Sequence, residues 1–179
     1  MAGAGALRER RAAPLAVVEE IPLRAAGRDA VFLFGTLMDV DILAALLARP
    51  IRPEERMAAR LAGFRRVRAA EACYPILVPD PEAEVEGVLL LRPSAEDLRR
   101  INHYESDEYR AALFQVRGAD GRRYRAWVFQ ARPEVLTATE QPWDFESWAR
   151  RHKAGFFARI AEWMADYPES DQPEPRNRP

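Results

Sequence analysis

The chain has 179 residues, and its 27 lysine and arginine residues nearly balance its 28 aspartate and glutamate residues. That length suits one domain, with or without tails, and the charge balance argues against a general binder of nucleic acid or membrane surfaces. One cysteine and two histidines exclude an internal disulfide framework and leave too few soft ligands for a structural zinc site. No apolar run approaches the 18 residues that a membrane-spanning helix needs.

The two ends of the chain differ from its middle. Residues 1–29 are rich in Ala, Gly and Arg and have weak periodicity, which predicts a flexible lead-in with a candidate short strand from Ala16 to Ile21. From residue 168 onward proline and charge dominate, which predicts a disordered tail over residues 168–179. Residues 30–167 form the predicted domain.

The domain begins with a predicted strand and helix. The apolar run Val31–Phe34, ended by Gly35, is typical of a strand buried on both faces. Asp39 is a good N-cap for a helix over residues 40–48, which the proline at position 50 ends. The predicted strands that follow are extended segments between Met57 and Ala72, a short strand over Pro75–Val78 closed by Pro79-Asp80-Pro81, and a strand over Val85–Leu91.

The second half of the domain is predicted as a helix, a hairpin and a long helix. Ser94 caps a helix that reaches about Tyr104, and alternating segments at residues 109–117 and 122–130 flank a glycine-bounded turn. Aromatic and aliphatic residues near a 3.6-residue period predict a helix from Asp144 to Tyr167. Because strands cluster and do not alternate with helices, we predict an α+β fold with a mixed, barrel-like β-sheet and flanking helices.

The loop after the first strand, Phe34-Gly35-Thr36-Leu37, is the first candidate site. It lies at the carboxyl end of a buried strand, where Gly35 allows close approach of a ligand or a positive φ. Backbone N–H groups of this loop would suit a carboxylate or a developing oxyanion. The alternative is a plain turn in which the glycine only makes the bend.

Glu105 is the second candidate. It follows Leu98 by seven residues, which brings it within about 20° of Leu98 around the helix axis, on the side that faces the core. Burial and the negative end of the helix dipole both raise the pKa of a carboxyl group in this position, as a general base near neutral pH requires. The alternative is that the helix has already ended and Glu105 points to water.

Five aromatic residues form a third set, of which most are expected in the core or at its rim and one or two in a pocket: Tyr74, Tyr104, Tyr109, Trp127 and Trp143. Neither histidine forms a plausible triad with a serine, and inward histidines and carboxylates are not clustered as metal ligands are.

Two segments in this order resemble signatures of the gamma-glutamylcyclotransferase-like superfamily. Val31–Met38 (VFLFGTLM) is similar to its opening strand and loop, and Leu98–Arg110 (LRRINHYESDEYR) to a helix that ends in an aromatic residue followed by the catalytic glutamate. The resemblance covers about residues 30–131. It points to the branch that includes gamma-glutamylamine cyclotransferases and bacterial relatives of unassigned substrate.

The resemblance implies an intramolecular acyl transfer that releases 5-oxoproline and a free amine or amino acid from a γ-glutamyl amine or peptide. Glu105 would be the catalytic base. The residues implied in substrate binding are Phe34, Gly35, Thr36, Leu37, Tyr109 and Trp127. The resemblance implies no metal or cofactor, and we expect a cytoplasmic monomer or homodimer that takes a small-molecule substrate and binds neither nucleic acid nor membrane.

Two departures from the family pattern keep other functions open. Phe34 stands where tyrosine is usual, and Ser106 stands where glycine commonly follows the catalytic glutamate. Both favour a catalytically silent ligand-binding or partner-interaction module on the same fold. A third possibility is hydrolysis or acyl transfer on a different small amide, with the same glutamate as base.

Overall fold

The structure, a computed structural model, describes residues 13–70 and 72–168. Over these residues the chain forms seven strands and three α-helices, with short 3-10 turns between them. In chain order they are β1 (Ala16–Val18), β2 (Ala30–Leu33), α1 (Val40–Leu47), β3 (Arg56–Ala69), β4 (Pro75–Leu90), α2 (Ala95–Glu105), β5 (Tyr109–Gly118), β6 (Arg123–Ala131), β7 (Ala138–Pro142) and α3 (Phe145–Trp163).

Five of the strands close into a barrel. Neighbouring strands follow the order β5-β6-β2-β4-β3, and β3 returns to β5 through the pairs Ala59 with Gly118 and Arg60 with Arg117. Only β2 and β6 among these pairs are parallel, and β1 and β7 extend the sheet outside the ring. The predicted α+β fold with a mixed, barrel-like sheet is therefore confirmed.

The barrel separates two apolar cores. Phe32 and Phe114 belong to a cluster contributed by the barrel strands and by Phe34, just after β2, which fills the barrel. Val31 and Leu33 point the other way along β2 and join a larger cluster between the barrel and the three helices. Gly87 lets β4 lie against β2, because a Cβ there would be 2.5 Å from the Leu33 carbonyl oxygen.

The longest strand differs from its prediction. Pro79-Asp80-Pro81 does not end a strand, because β4 runs continuously from Pro75 to Leu90 beside β3. Its pairing with β3 shifts register opposite Gly63, which has a φ of +86°. A bulge of this kind accommodates prolines, since the ladder there does not need their missing N–H groups.

The segment before β2, which the sequence predicts to be flexible, also differs from its prediction. Residues 1–12 lie outside the described part, but β1 pairs with β5, and Ile21 is buried. The Asn102 side chain accepts from the Ile21 N–H and donates to the Ile21 carbonyl oxygen, both at 2.9 Å. The prediction of a flexible segment is thus corrected for residues 13–29, which pack on the barrel and α2. The predicted disordered tail beyond residue 168 lies outside the described residues.

The carboxyl-terminal helix is shorter than predicted. It ends at Trp163, and the chain then turns so that the Tyr167 ring lies against His103 and its hydroxyl donates to Glu96 at 2.8 Å. Strand β7, which the sequence pattern did not indicate, precedes this helix. Among the described residues no helix is both long and apolar enough to cross a membrane.

Candidate functional site

Helix α2 carries Glu105 to the edge of the barrel. Its start is fixed by a capping box, in which Ser94 and Asp97 each accept the other's backbone N–H. Leu98 and Ile101 are fully buried and orient the helix on the core. Glu105 is the last residue of the helix, one residue beyond the predicted end at about Tyr104.

The Glu105 side chain lies in a pocket of about 380 Å³ between the end of α2 and the end of β2. The predicted loop residues Phe34, Gly35, Thr36 and Leu37 all line this pocket. Gly35 has a φ of −128°, so it does not need the left-handed region; close packing requires glycine, because a Cβ would lie 2.9 Å from the Pro75 ring.

Glu105 is half-buried, and the structure gives its carboxylate no hydrogen bond or ion pair within residues 13–70 and 72–168. Burial, together with the nearby charge of Glu108, raises its pKa to about 8. Loss of hydration disfavours the charged form, and a second carboxylate adds repulsion. The group can therefore take up and release protons near neutral pH, as a general base must.

Three tyrosines, Tyr74, Tyr104 and Tyr109, line the pocket together with Glu105. Tyr104 lies 3.3 Å from the Thr36 hydroxyl, and Tyr74 donates to Glu108 at 3.0 Å. Burial raises the pKa of Tyr74, Tyr104 and Tyr109 well above the ordinary value, so all three stay protonated. The pocket thus offers neutral hydroxyl groups that orient a substrate without competing for its protons.

The residue after Glu105 is held in a backbone conformation that favours glycine. Ser106 has φ 50° and ψ −157°. Only glycine adopts this region without a steric penalty, which is of order 1–3 kcal/mol for other residues. The departure from the family pattern at Ser106 therefore leaves the backbone geometry in place and costs stability.

We expect Ser106→Gly to raise the free energy of unfolding by about 1 kcal/mol, because relief of strain exceeds the added entropy of the unfolded chain. Thermal unfolding followed by circular dichroism measures this. Asp107→Gly is the matched control: Asp107 is the exposed neighbour without a positive φ, and glycine there should destabilise. A lower melting temperature for Ser106→Gly would contradict the strain at this position.

The structure does not bring every predicted site residue to the pocket. Tyr109 lines it, but Trp127 packs in the core between barrel and helices, and Phe129 takes the place on β6 that faces the pocket. Val31 on β2 lies beside Trp127, so Phe129, two positions further along β6, is level with Leu33, where β2 ends and the loop begins. Arg110 points outward to Glu19 and Glu134.

Trp163 and Asp166, at the end of α3, also line the pocket. The Trp163 ring packs edge-to-face on Tyr104 at 5.6 Å, and its carbonyl oxygen lies 3.1 Å from the His103 ring. The aromatic spacing of this helix indicated that it packs on the domain. The turn that brings Asp166 back to the pocket has no comparable signal in the sequence.

The pocket is acidic and aromatic. Its charged lining consists of Glu105, Glu108 and Asp166, and within the described residues that line it there is no lysine or arginine. No group of three or more histidine, cysteine or acidic side chains in the described part is placed to hold a metal ion. The arrangement can accept protons from a bound ammonium group and donate hydrogen bonds from hydroxyl and backbone groups.

Comparison with known proteins agrees with this geometry. A sequence model described as "Gamma-glutamyl cyclotransferase, AIG2-like" matches residues 31–150. AIG2-like protein A of Arabidopsis thaliana is 30% identical over 139 residues, which cover 75% of this chain and 80% of the relative. AIG2-like protein B of the same plant is 28% identical over 139 residues, which cover 75% and 77%.

Two solution structures of Arabidopsis thaliana proteins have the same fold. One matches with a TM-score of 0.53 and 26% identity, covering 79% of this chain and 95% of that one. The other matches with a TM-score of 0.55 and 21% identity, covering 78% and 85%. The matched family segment contains the loop after β2, Glu105 and, apart from Ala30, all five barrel strands, and the chain belongs to the gamma-glutamyl cyclotransferase, AIG2-like family.

Proposed function

We propose that this protein is a gamma-glutamylcyclotransferase that acts on a γ-glutamyl amine or peptide and releases 5-oxoproline and a free amine or amino acid. The observation that carries the proposal is the Glu105 carboxylate, which has a pKa of about 8 and lies in the same pocket as the loop Phe34–Leu37. Membership of the family supports the same activity.

The reaction needs one base and a well-oriented substrate. The α-amine and the γ-carbonyl belong to the same molecule, so no enzyme nucleophile is required, and orientation alone supplies several kcal/mol. Binding of the substrate's ammonium group beside Glu105 favours the ionised carboxylate, which then removes a proton from it. The free amine attacks the γ-carbonyl carbon and forms a tetrahedral oxyanion.

Collapse of this intermediate breaks the C–N bond to the leaving amine. The α-nitrogen loses two protons overall, and the leaving nitrogen gains two as it departs and becomes an ammonium group. Glu105 carries protons between the two nitrogens, and backbone N–H groups of Gly35–Leu37 stabilise the oxyanion or hold the substrate carboxylate. Tyr109 and Phe129 enclose the five-membered ring as it forms.

A substrate panel tests the proposal. The full chain is incubated with γ-glutamyl amines, γ-glutamyl dipeptides and glutathione, and 5-oxoproline is measured by chromatography. Release of 5-oxoproline from at least one member, in proportion to enzyme concentration, is the expected result.

A catalytically silent binding module is the second candidate, and Phe34 favours it because phenylalanine cannot supply the hydroxyl group that tyrosine offers at this position. No 5-oxoproline from any member of the panel, together with calorimetric binding of one of them, would support that function instead. The reverse change, Phe34→Tyr, then shows whether the hydroxyl group is what the site lacks.

The pH dependence of catalysis gives a further prediction. We expect kcat/KM to rise with pH along a limb centred near 8, because the free enzyme must ionise Glu105 before it can act as a base. In Glu108→Gln the limb moves to lower pH, since one of the two causes of the raised pKa is gone. The exposed neighbour Asp107→Asn is the control and leaves the limb in place. If the midpoint of the pH limb is the same in Glu108→Gln as in the wild type, Glu108 does not contribute to the raised pKa of Glu105.

A further inference from the structure

Two arginines of β3 hold the ends of the site loop. Arg66 donates from Nη1 to the Phe34 carbonyl oxygen at 2.7 Å, and Arg56 donates from Nη2 to the Met38 carbonyl oxygen at 2.5 Å. Neither arginine lines the pocket; Arg66 instead faces a separate cavity of about 790 Å³, which Met38 also lines. The loop therefore presents its residues to the pocket while its backbone is held from the other side.

Trp143 links Arg66 to the second segment that lines this end of the pocket, Cys73–Pro75. The Arg66 guanidinium lies over the Trp143 ring at 5.0 Å, and Trp143 Nε1 donates to the Cys73 carbonyl oxygen at 2.7 Å. Cys73 immediately precedes Tyr74 and Pro75, and both of these residues line the pocket. Pro75 also packs against Gly35 of the loop after β2. The stacked side chains of Arg66 and Trp143 thus bind the backbone of the loop after β2 and of the Cys73–Pro75 segment, respectively.

Arg66 also keeps a positive charge behind the loop. Its polar contacts are with the Phe34 and Glu86 carbonyl oxygens and the Met38 sulfur, and the carboxylates of Asp144 and Glu86 act on it only across a distance. Burial lowers its pKa, but a guanidinium stays protonated at any physiological pH. A positive charge placed there favours a substrate carboxylate or an oxyanion at the loop.

We propose that Arg66 and Trp143 are positioning residues, which fix the Phe34–Met38 loop and the Cys73–Pro75 segment in the spacing that the acyl transfer needs. The proposal rests on the proposed function, because the quantity it explains is the rate of that reaction. It assigns to the two residues no contact with the substrate.

The test compares Arg66 with its neighbour in the sequence. Arg65 lies on the same strand, does not contact the loop or the pocket, and pairs with the exposed Glu140 at 3.2 Å. We expect Arg66→Met to lower kcat/KM by about 10- to 100-fold, mainly through kcat, since small displacements of reacting groups have effects of this size. Arg65→Met should stay within about twofold of the wild type, as surface substitutions do.

Two milder variants separate positioning from folding. Arg66→Lys keeps the charge and one donor and should recover part of the lost kcat, whereas Trp143→Phe keeps a ring but loses the Nε1 donor and should lower kcat by roughly 3- to 10-fold, the equivalent of one hydrogen bond. Rates are taken per folded molecule, well below the melting temperature. A merely structural role would lower the melting temperature and leave this kcat unchanged.

The outcomes distinguish this inference from the proposed function. An active wild type with Arg66→Met equal to Arg65→Met in kcat would overturn the positioning role and leave the enzyme activity intact. A wild type that releases no 5-oxoproline from any member of the panel would overturn the proposed function, and the positioning role with it. A loss of kcat at Arg66 that lysine partly restores supports both.

Discussion

Replacing Glu105 with glutamine should abolish most of the release of 5-oxoproline, with kcat lowered by about 10²- to 10⁴-fold, the range that a general base contributes. Glutamine keeps the size of the side chain but cannot accept a proton. The measurement is the initial rate on the best substrate of the panel, at the pH optimum of the wild type. Equal rates for the two proteins would remove Glu105 from the mechanism.

The same substitution should stabilise the fold at high pH. The folded pKa of Glu105, about 8, lies above the ordinary value of 4.5, so below pH 4.5 the group is neutral in both folded and unfolded chains. Above pH 4.5 the unfolded chain ionises this group while the folded chain keeps it protonated, so stability falls as pH rises and the loss is complete once pH has passed 8. Glu105→Gln should therefore match the wild type at pH 4 and exceed its free energy of unfolding at pH 9 by about 1–3 kcal/mol, after allowance for partial exposure.

Denaturant unfolding at the two pH values provides the check. The exposed acidic neighbour Asp107→Asn is the control and should show no such difference between pH 4 and pH 9. A Glu105→Gln protein that is inactive and also less stable at pH 9 would show that lost folding, and not lost chemistry, explains the kinetics.

The second large effect is expected at Arg49, whose guanidinium joins the end of α1 to the start of α2. It binds both carboxylate oxygens of Asp97 at 2.8 Å and pairs with Glu55 at 2.9 Å. Asp97 and Glu55 are both buried. Arg49→Met would leave the buried Asp97 carboxylate without a cation and Glu55 with only the exposed Arg52, and we expect a loss of about 3 kcal/mol in the free energy of unfolding.

The pH dependence of this loss identifies its cause. The hydrogen bond from Arg49, followed by that from the Arg52 backbone, lowers the pKa of Glu55 to about 2. Burial raises the pKa of Asp97, but the hydrogen bonds from Arg49 and Ser94 outweigh it and lower the pKa overall. Stabilisation by lowered pKa values is present above about pH 4.5 and lost as pH falls toward 2, so the difference between Arg49→Met and the wild type should shrink over that range.

Arg52→Met is the matched control for Arg49. Arg52 also pairs with Glu55, at 3.3 Å, but its side chain is 70% exposed, so its removal should cost no more than about 1 kcal/mol. Equal losses for the two variants in urea unfolding would mean that burial of the ion pairs does not set their contribution.

The sequence contains enough information to predict the architecture and to bring the loop after β2 and Glu105 to one candidate site. A buried apolar run with a glycine at its end specifies the loop after β2, and helical periodicity places Glu105 on the core-facing side of α2, because both signals are local. The position of Trp127 relative to the pocket cannot be predicted from local signals of this kind. Whether Trp127 or Phe129 faces the pocket depends on the parallel register between β2 and β6, which no local pattern encodes.

Two parts of the fold, the ordered segment around Ile21 and the continuation of β4, could not be predicted from the local sequence pattern. The segment around Ile21 has little periodicity, and its order depends on hydrogen bonds to Asn102, far along the chain. The prolines at 79 and 81 are typical of a strand end, but a bulge opposite Gly63 allows β4 to continue past them. In both cases tertiary contacts outweigh local preference.

The pairing of β2 with β6 has a consequence for how the protein folds. Ala30 and Val31 meet Ala126 and Trp127, so the barrel can close only after most of the domain has left the ribosome. Long-range pairs of this kind form late, because loop-closure entropy opposes them until other contacts compensate. During synthesis, the loop after β2 and the helix that ends in Glu105 are made before β6 and α3, which complete the pocket. We therefore expect the pocket to form abruptly with these last elements rather than gradually.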